Sequence, residues 1–210
     1  SPTTSGTGAD VGWGVVLTDK ASHRKLVLGS PEGLADFAIV DPVFTRNLPL
    51  PITRDTGMDV LAHSIECFIG AWRNDFTDGL MIKSTELVLT YLPRACRNPQ
   101  DEEAREHMHN AATIAGLGLG NAQIGICHSM AHALGGMFHA PHGRLIGICL
   151  PYTLEFAANG MPEHLAALAR YLGLTTATGK EGADALVGAV WQLVGETGHP
   201  RSLKEIGIGE

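Results

Sequence analysis

Five side chains with spacings suited to metal binding are concentrated in three stretches of the chain. Asp59 and His63 are four residues apart, so they would lie on one helix face, about one turn from each other. His128 and His132 repeat this spacing in a second stretch, and His142 follows just before a third. The pattern therefore offers one carboxylate and four imidazoles to a single ion.

Metal binding explains these residues better than five separate structural roles. Taken singly, each would be a surface group or a hydrogen-bonded core residue. Together they occupy apolar stretches rich in alanine and glycine, where carboxylates and imidazoles without partners are costly to bury. One carboxylate with three imidazoles suits a first-row divalent ion and leaves a coordination position open for substrate. Iron and zinc are both compatible with this ligand set.

The histidine pair in the second stretch lacks the pattern of a zinc protease. In the His-Glu-x-x-His motif of those enzymes, the glutamate after the first histidine is the general base. Here Ser129 follows His128. The sequence therefore disfavours peptide hydrolysis.

The composition predicts a globular protein and argues against nucleic-acid and membrane partners. Hydrophobic residues make up 44% of the 210 residues and charged residues 18%, with a mean hydropathy of +0.07, which supports a buried core. The formal net charge is −7, without long basic runs, so no surface for a phosphate backbone is indicated. No apolar run reaches the roughly 18 residues that span a bilayer, and no signal peptide is evident. We therefore expect a cytoplasmic protein.

Hydrophobic periodicity predicts a mainly helical chain that begins with a short strand-and-loop segment. Up to about residue 45, β-branched runs at 15–17 and 37–40 alternate with glycine and proline, which is typical of strands and loops. Beyond Pro51, apolar residues recur with helical spacing, and Asp55 is the expected start signal of the first helix. The expected helices are 55–72, 75–92, 101–120, 122–138, 143–159, 161–172 and 181–198.

Three motifs, in this order, resemble the successive signatures of the iron-containing (group III) alcohol dehydrogenases. They are TTSGTG at residues 3–8, DTGMDVLAHSIE at 55–66, and the block 125–151 with its HSMAH and PHG runs. The resemblance implies that Asp59, His63, His128 and His142 are the metal ligands. It places His132 near the nicotinamide, as a catalytic residue that relays a proton or contacts the cofactor.

The same resemblance implies a dinucleotide cofactor, NAD or NADP, without deciding between them. Thr3, Thr4 and Thr7 would face its phosphates or nicotinamide, Lys25 its ribose, and Phe44 its adenine side. In the family a Gly-Gly-Gly-Ser turn cradles the pyrophosphate, and these 210 residues contain no such run. The cofactor contacts therefore include groups beyond those found here.

The resemblance also implies a domain organisation. Family members adopt a dehydroquinate synthase-like two-domain fold, in which an α/β nucleotide-binding domain precedes a helical metal-binding domain. Residues 1–50 would then be the C-terminal remnant of the nucleotide-binding domain. Residues 51–210 would form the helical metal-binding domain, incomplete at its C-terminus. We therefore expect a fragment of a longer dehydrogenase.

The predicted function is hydride transfer between a primary or secondary alcohol, or the related aldehyde or ketone, and NAD(P), with iron as the metal and zinc as the alternative. A small alcohol or aldehyde is the expected partner, and homo-oligomerisation and the activity of the fragment are left open. The alternative is a non-catalytic helical metal-binding module that no longer binds nucleotide. Glycerol dehydrogenase and dehydroquinate synthase share the two-domain plan with different ligands, and the intact Asp with three His favours the iron group.

Overall fold

Seven α-helices dominate the computed structural model, which describes residues 1–22 and 24–209. They are α1 (Leu50–Ile69), α2 (Asp75–Arg97), α3 (Glu102–Leu119), α4 (Ile126–Phe138), α5 (His142–Gly160), α6 (Pro162–Tyr171) and α7 (Gly179–Thr197). Two strands, β1 (Gly14–Asp19) and β2 (Arg24–Gly29), and three short 3-10 turns accompany them. The prediction of a mainly helical chain is confirmed; Glu210, the last residue of the predicted helical domain, lies outside the described residues. No helix of the described part is both long and apolar enough to cross a membrane.

The two strands form an antiparallel hairpin, which confirms the strand predicted at 15–17. Gly14 pairs with Gly29 at one end of the ladder and Asp19 with Arg24 at the other. The strand predicted at 37–40 is wrong, because these residues lie outside the sheet. Within the described residues the sheet consists of β1 and β2, so this segment has no strand to pair with, and its Phe37 is 87% exposed.

α1 is the central helix of the core. All of its residues from 57 to 68 are buried, and it packs against α2, α3 and α5 on different sides, with further contacts to α4 and α6. A helix enclosed in this way is buried around its whole circumference rather than along one stripe. Asp59 and His63 lie within this stretch. The fold therefore places two of the predicted ligands inside the core instead of at its edge.

Two helices begin elsewhere than predicted, for identifiable reasons. α1 begins at Leu50, with Pro51 in its first turn, where a missing N–H costs nothing. Asp55 therefore does not start the helix but lies inside it, buried. α4 begins at Ile126 rather than at residue 122, because Gly125 before it has an extended backbone (φ −114°, ψ −146°).

The loop before β1 packs directly on α3 through a pair of glycines. Gly8 has φ +66°, and a Cβ on it would lie only 2.7 Å from the Cα of Gly116. A Cβ on Gly116 would in turn lie 2.7 Å from the carbonyl oxygen of Gly8, so neither position has space for a side chain. Nearby, the buried Ser5 Oγ is 3.2 Å from Nδ1 of His109 on α3. These contacts hold the TTSGTG motif against the helical body.

Candidate metal centre

The predicted metal ligands come from three helices that pack together. Asp59 and His63 are one turn apart on α1, His128 is in the first turn of α4, and His142 is the first residue of α5. α1 packs against both α4 and α5, and α4 packs against α5. Residues up to 83 positions apart in sequence, Asp59 and His142, therefore face each other.

Asp59 Oδ1 lies at the centre of this cluster. It is 3.4 Å from His142 Nε2 and 3.5 Å from His128 Nε2. Two ligands bound at about 2.1 Å to a tetrahedral ion are about 3.4 Å apart, so these three atoms have the spacing of ligands around one ion. Their side chains form a group whose ligand atoms all lie within 4.8 Å of one another.

His63 is set farther from the centre than the other three predicted ligands. Its Nε2 is 4.0 Å from Asp59 Oδ1, and its ring stacks on that of His128 with centroids 4.5 Å apart. The structure therefore brings Asp59, His128 and His142 into one close group and places His63 directly beside it.

Polar atoms at the cluster are left without hydrogen bonds. Among the described residues, the buried atoms with no hydrogen-bond partner include Asp59 Oδ1, His128 Nε2 and His63 Nδ1. Buried polar atoms of this kind are rare because each loses its interaction with water without replacement. A divalent cation between Asp59 Oδ1 and His128 Nε2 would satisfy both atoms, so the residues present fit a metal ion.

The charges of the cluster are strongly coupled. Burial alone would raise the pKa of Asp59, but the charge of His63 and the close approach of His128 and His142 hold it well below its usual value. Burial would lower the pKa of His128, but its close contact with Asp59 and its hydrogen bond to Glu66 raise it to about 9. Burial lowers the pKa of His63 to about 4. Without a metal, His128 therefore carries a proton that a metal ion must displace.

We expect metal affinity to weaken as the pH falls, because a proton and the metal compete for His128 Nε2. With the pKa of His128 near 9, the imidazole is protonated at neutral pH in the metal-free chain. Because the metal must displace one proton from His128, its apparent affinity falls about tenfold for each pH unit below that pKa. Zn²⁺ titrations in chelator-buffered solutions at several pH values around neutrality measure this slope. An affinity that does not change with pH would contradict the competition.

Glu66 contacts the cluster although it was not among the predicted site residues. Its Oε2 is 2.6 Å from His128 Nδ1, and its Oε1 accepts a hydrogen bond from the backbone N–H of Cys127 at 2.7 Å. Burial would raise the pKa of Glu66, but the hydrogen bond and charge of His128 lower it. The sequence did hold a signal, since Glu66 follows Asp59 by seven residues and His63 by three, which places all three on one face of α1.

A second buried carboxylate fastens the start of α5 to α1. Arg144, two residues after His142, donates from Nε to Asp55 Oδ2 at 3.0 Å, and His199 Nε2 lies 3.4 Å from Asp55 Oδ1. A Cβ on Gly143 would lie 2.3 Å from the carbonyl oxygen of Asp55, so only glycine permits this approach. Asp55, predicted to begin a helix, instead helps to position His142, one of the predicted ligands.

His132 lies beside the ligand group, one turn after His128 on α4. Its ring centroid is 5.0 Å from that of His142 and 6.2 Å from that of His128. Burial, together with the charges of His142 and His128, lowers the pKa of His132 to about 4. The ring is therefore neutral at physiological pH.

The amino-acid sequence as a whole matches a known family. A profile of the C-terminal part of the Fe-containing alcohol dehydrogenase family covers residues 53–210. The chain belongs to this family. Its three-helix ligand cluster lies entirely within the matched residues.

Known members of the alcohol dehydrogenase family resemble the chain over its full length. The aldehyde-alcohol dehydrogenase of Streptococcus pneumoniae is 38% identical, over 100% of this chain and 25% of that protein. The NADPH-dependent butanol dehydrogenase of Clostridium saccharobutylicum is also 38% identical, over 100% of this chain and 53% of that protein. The sulfoacetaldehyde reductase of Bifidobacterium kashiwanohense, solved with NAD⁺, is 32% identical with a TM-score of 0.89, covering 100% of this chain and 54% of that one. The chain thus spans about a quarter to a half of the length of these relatives.

One of the cofactor contacts expected for this dehydrogenase family lies near the histidines. Lys25, on β2, donates to Thr18 Oγ1 at 2.7 Å, and its charge contributes to lowering the pKa of His132. Both Lys25 and Thr18 line a cavity of about 400 Å³ between the hairpin and the end of α4. The hairpin therefore brings Lys25 towards the group of predicted metal ligands.

The other expected cofactor contacts lie on different parts of the chain. Thr3 and Thr7 are exposed in the loop before β1, and Thr4 is partly buried there. Phe44 is 53% exposed in the short turn Pro42–Thr45, which packs against α3. Their exposure leaves these side chains accessible to a ligand.

Proposed function

We propose that the chain supplies the metal-binding part of an NAD(P)-linked alcohol or aldehyde oxidoreductase. The observation that carries this proposal is the placement of Asp59 Oδ1 within 3.5 Å of two imidazole nitrogens, in a chain that belongs to the Fe-containing alcohol dehydrogenase family. The similar proteins named above are a butanol dehydrogenase, an aldehyde-alcohol dehydrogenase and an aldehyde reductase. A small alcohol or aldehyde is therefore the proposed substrate.

Asp59, His63, His128 and His142 would hold the metal, which we take to be Fe²⁺, with Zn²⁺ as the alternative. When bound there, the ion supplies Lewis acidity to the oxygen of the alcohol or carbonyl substrate. The anionic Asp59 lowers the charge of the site, and the three imidazoles bind as neutral ligands. Burial of Asp59, His63 and His128 excludes bulk water from most of the site, and the side chain of His142 remains 34% exposed.

His132 is the proposed proton relay. Because burial lowers its pKa to about 4, it does not store a proton at neutral pH. A neutral imidazole still moves a proton by accepting at one ring nitrogen while donating from the other. A nicotinamide, when bound, would supply the site that exchanges a hydride with the substrate carbon.

The proposed cofactor is NAD or NADP. The relative solved with NAD⁺ and the NADPH-dependent relative support a nicotinamide dinucleotide without choosing between the two. Lys25, Thr3, Thr4, Thr7 and Phe44 are the proposed contacts. In the same proposal, residues 1–50 continue a nucleotide-binding domain, and residues 51–210 form the helical metal-binding domain.

Metal loading followed by a turnover assay tests this function. Because the chain matches 53% of the C. saccharobutylicum enzyme, a chimera in which it replaces that half can be assayed beside the chain alone. We expect bound metal in both proteins, and metal-dependent alcohol oxidation with formation of NADH or NADPH in the chimera. His142→Ala should abolish both properties, whereas His164→Ala, at an exposed position on α6, should change neither.

The outcomes separate the candidate functions. Metal binding without nicotinamide binding or turnover in either protein would leave the non-catalytic metal-binding module as the function. A chain that binds neither Fe²⁺ nor Zn²⁺ would overturn both.

A further inference from the structure

Glu66 is a buried carboxylate that uses both oxygens at the start of α4. It lies on α1 with only 4% of its surface exposed. One oxygen accepts from the Cys127 N–H at 2.7 Å, and the other lies 2.6 Å from His128 Nδ1. The first turn of a helix has N–H groups without partners in the helix, and Gly125, before α4, provides no side-chain cap. Glu66 therefore caps α4 from another helix and contacts a proposed metal ligand at the same time.

The contact with Nδ1 determines what the other nitrogen of the ring can do. A carboxylate accepts hydrogen bonds but cannot donate them, so it favours the imidazole form with hydrogen on Nδ1. In that form Nε2 has a free lone pair, and this is the nitrogen that lies 3.5 Å from Asp59 Oδ1 and has no hydrogen-bond partner among the described residues. The ring is thus oriented so that, once a metal ion displaces the proton on Nε2, the lone pair of this nitrogen faces the ligand group.

The Glu66 carboxylate packs so closely against Gly125 that a side chain at residue 125 would overlap it. A Cβ on Gly125 would lie 2.7 Å from Glu66 Oε1 and 3.3 Å from its carboxyl carbon. A residue larger than glycine at this position would push the carboxylate away from Cys127 and His128. The glycine before α4 and the carboxylate on α1 therefore act as a pair.

We infer that Glu66 is a positioning residue of the metal centre, which orients His128 and fixes the hydrogen on its Nδ1 so that Nε2 binds the metal. This inference rests on the proposed metal site. Carboxylates that accept from the second nitrogen of a metal-binding histidine typically contribute 10- to 100-fold to metal affinity. Glu66 needs no contact with the metal to have this effect.

The variant Glu66→Gln tests the inference with little change of shape. An amide oriented to accept from the Cys127 N–H presents its NH₂ group to Nδ1, which favours hydrogen on Nε2 and blocks that nitrogen. The reverse orientation loses the cap on α4. We expect Co²⁺ and Zn²⁺ affinity, measured by chelator competition, to fall about 10- to 100-fold. Glu86→Gln is the matched control, because Glu86 is an exposed residue of α2, paired with Lys83, and should leave the affinity unchanged.

A second variant and a spectroscopic measurement distinguish the positioning of His128 by Glu66 from a general contribution of Glu66 to the stability of the fold. Gly125→Ala keeps the charge of Glu66 but displaces its carboxylate, and we expect the same direction of change. In the Zn²⁺-loaded protein, nitrogen-15 NMR of histidine should show a strongly hydrogen-bonded proton on His128 Nδ1, and Glu66→Gln should shift or remove this signal.

Four results would overturn the inference, three of them without affecting the proposed function. Unchanged metal affinity in folded Glu66→Gln or Gly125→Ala would overturn it, as would a His128 that binds Zn²⁺ through Nδ1. In these cases wild-type chain still binds metal and the proposed function survives. A wild-type chain that binds no metal would overturn the inference together with the proposed function.

Discussion

Replacing Asp59 with asparagine is expected to remove specific metal binding. Asparagine keeps the shape of the side chain, but it removes the negative charge at the point where two imidazole nitrogens lie within 3.5 Å of Oδ1. This change affects a proposed direct ligand, so the loss of affinity should exceed the 10- to 100-fold effect typical of residues one step removed from the metal. Metal stoichiometry of anaerobically prepared protein, determined by elemental analysis, gives the first readout.

The free energy of unfolding gives an independent readout of the same variant. A metal that binds only the folded chain, at a concentration about 1,000 times its dissociation constant, stabilises the fold by about 4 kcal/mol. Wild type should show this gain in denaturant unfolding with and without Zn²⁺, and Asp59→Asn should not. Asp184→Asn is the control, because Asp184 is an exposed residue of α7 that should leave the gain intact. Equal metal content in wild type and Asp59→Asn would show that Asp59 is not a ligand.

Gly143→Ala is expected to damage both the fold and the metal site. The new Cβ would lie 2.3 Å from the carbonyl oxygen of Asp55 and 2.7 Å from its carbonyl carbon, and backbone atoms cannot turn aside as a side chain does. The first turn of α5 would have to move away from α1, taking His142 away from Asp59. Overpacking in a core costs about 1–3 kcal/mol, which exceeds the gain of up to about 1 kcal/mol from alanine in a helix. We expect a net loss of about 1–2 kcal/mol and weaker metal binding.

The same helix provides a matched control for this substitution. Gly160, the last residue of α5, has no atom within 4 Å of the position of a Cβ, so Gly160→Ala should change stability by well under 1 kcal/mol. Urea unfolding of both variants, with and without Zn²⁺, separates the effect of contact with Asp55 from the effect of helix propensity. Equal stability of the two variants would show that α5 accommodates a side chain at residue 143.

The helices and the grouping of the candidate ligands could be predicted because they depend on spacing along the chain, whereas the choice of four ligands among the five candidates came from the resemblance to the family and stays a prediction. Helical periodicity indicated all seven helices, and the four-residue spacing of Asp59 and His63 placed both on one face of α1. The spacing could not show that α1 is buried around its circumference, because that depends on which helices surround it. It also could not determine that His63 would lie farther from the centre than His142, since that distance depends on how α5 packs against α1.

The roles of Asp55 and Glu66 were not predicted, because they come from contacts between helices. Asp55 resembled a helix start signal, but Pro51 allowed α1 to begin earlier, and the carboxylate was left inside the helix to bind Arg144. Glu66 was part of the motif at 55–66, yet its role depends on the start of α4, which was predicted several residues too early. The strand expected at 37–40 failed for a similar reason, because a strand needs a partner that local sequence does not reveal.

The uneven exposure of the proposed ligands has a consequence for how quickly the site would exchange a bound ion. The side chains of Asp59, His63 and His128 are 2–5% exposed, whereas that of His142 is 34% exposed and belongs to the first residue of α5, which has no side-chain cap. Helix ends open locally far more often than a buried central helix unfolds. An ion at the proposed site would therefore leave on the side of His142, after the contacts of Arg144 and Gly143 with Asp55 open and release this turn. We expect its residence time to depend on the local opening rate of α5 and not on the global unfolding rate of the protein.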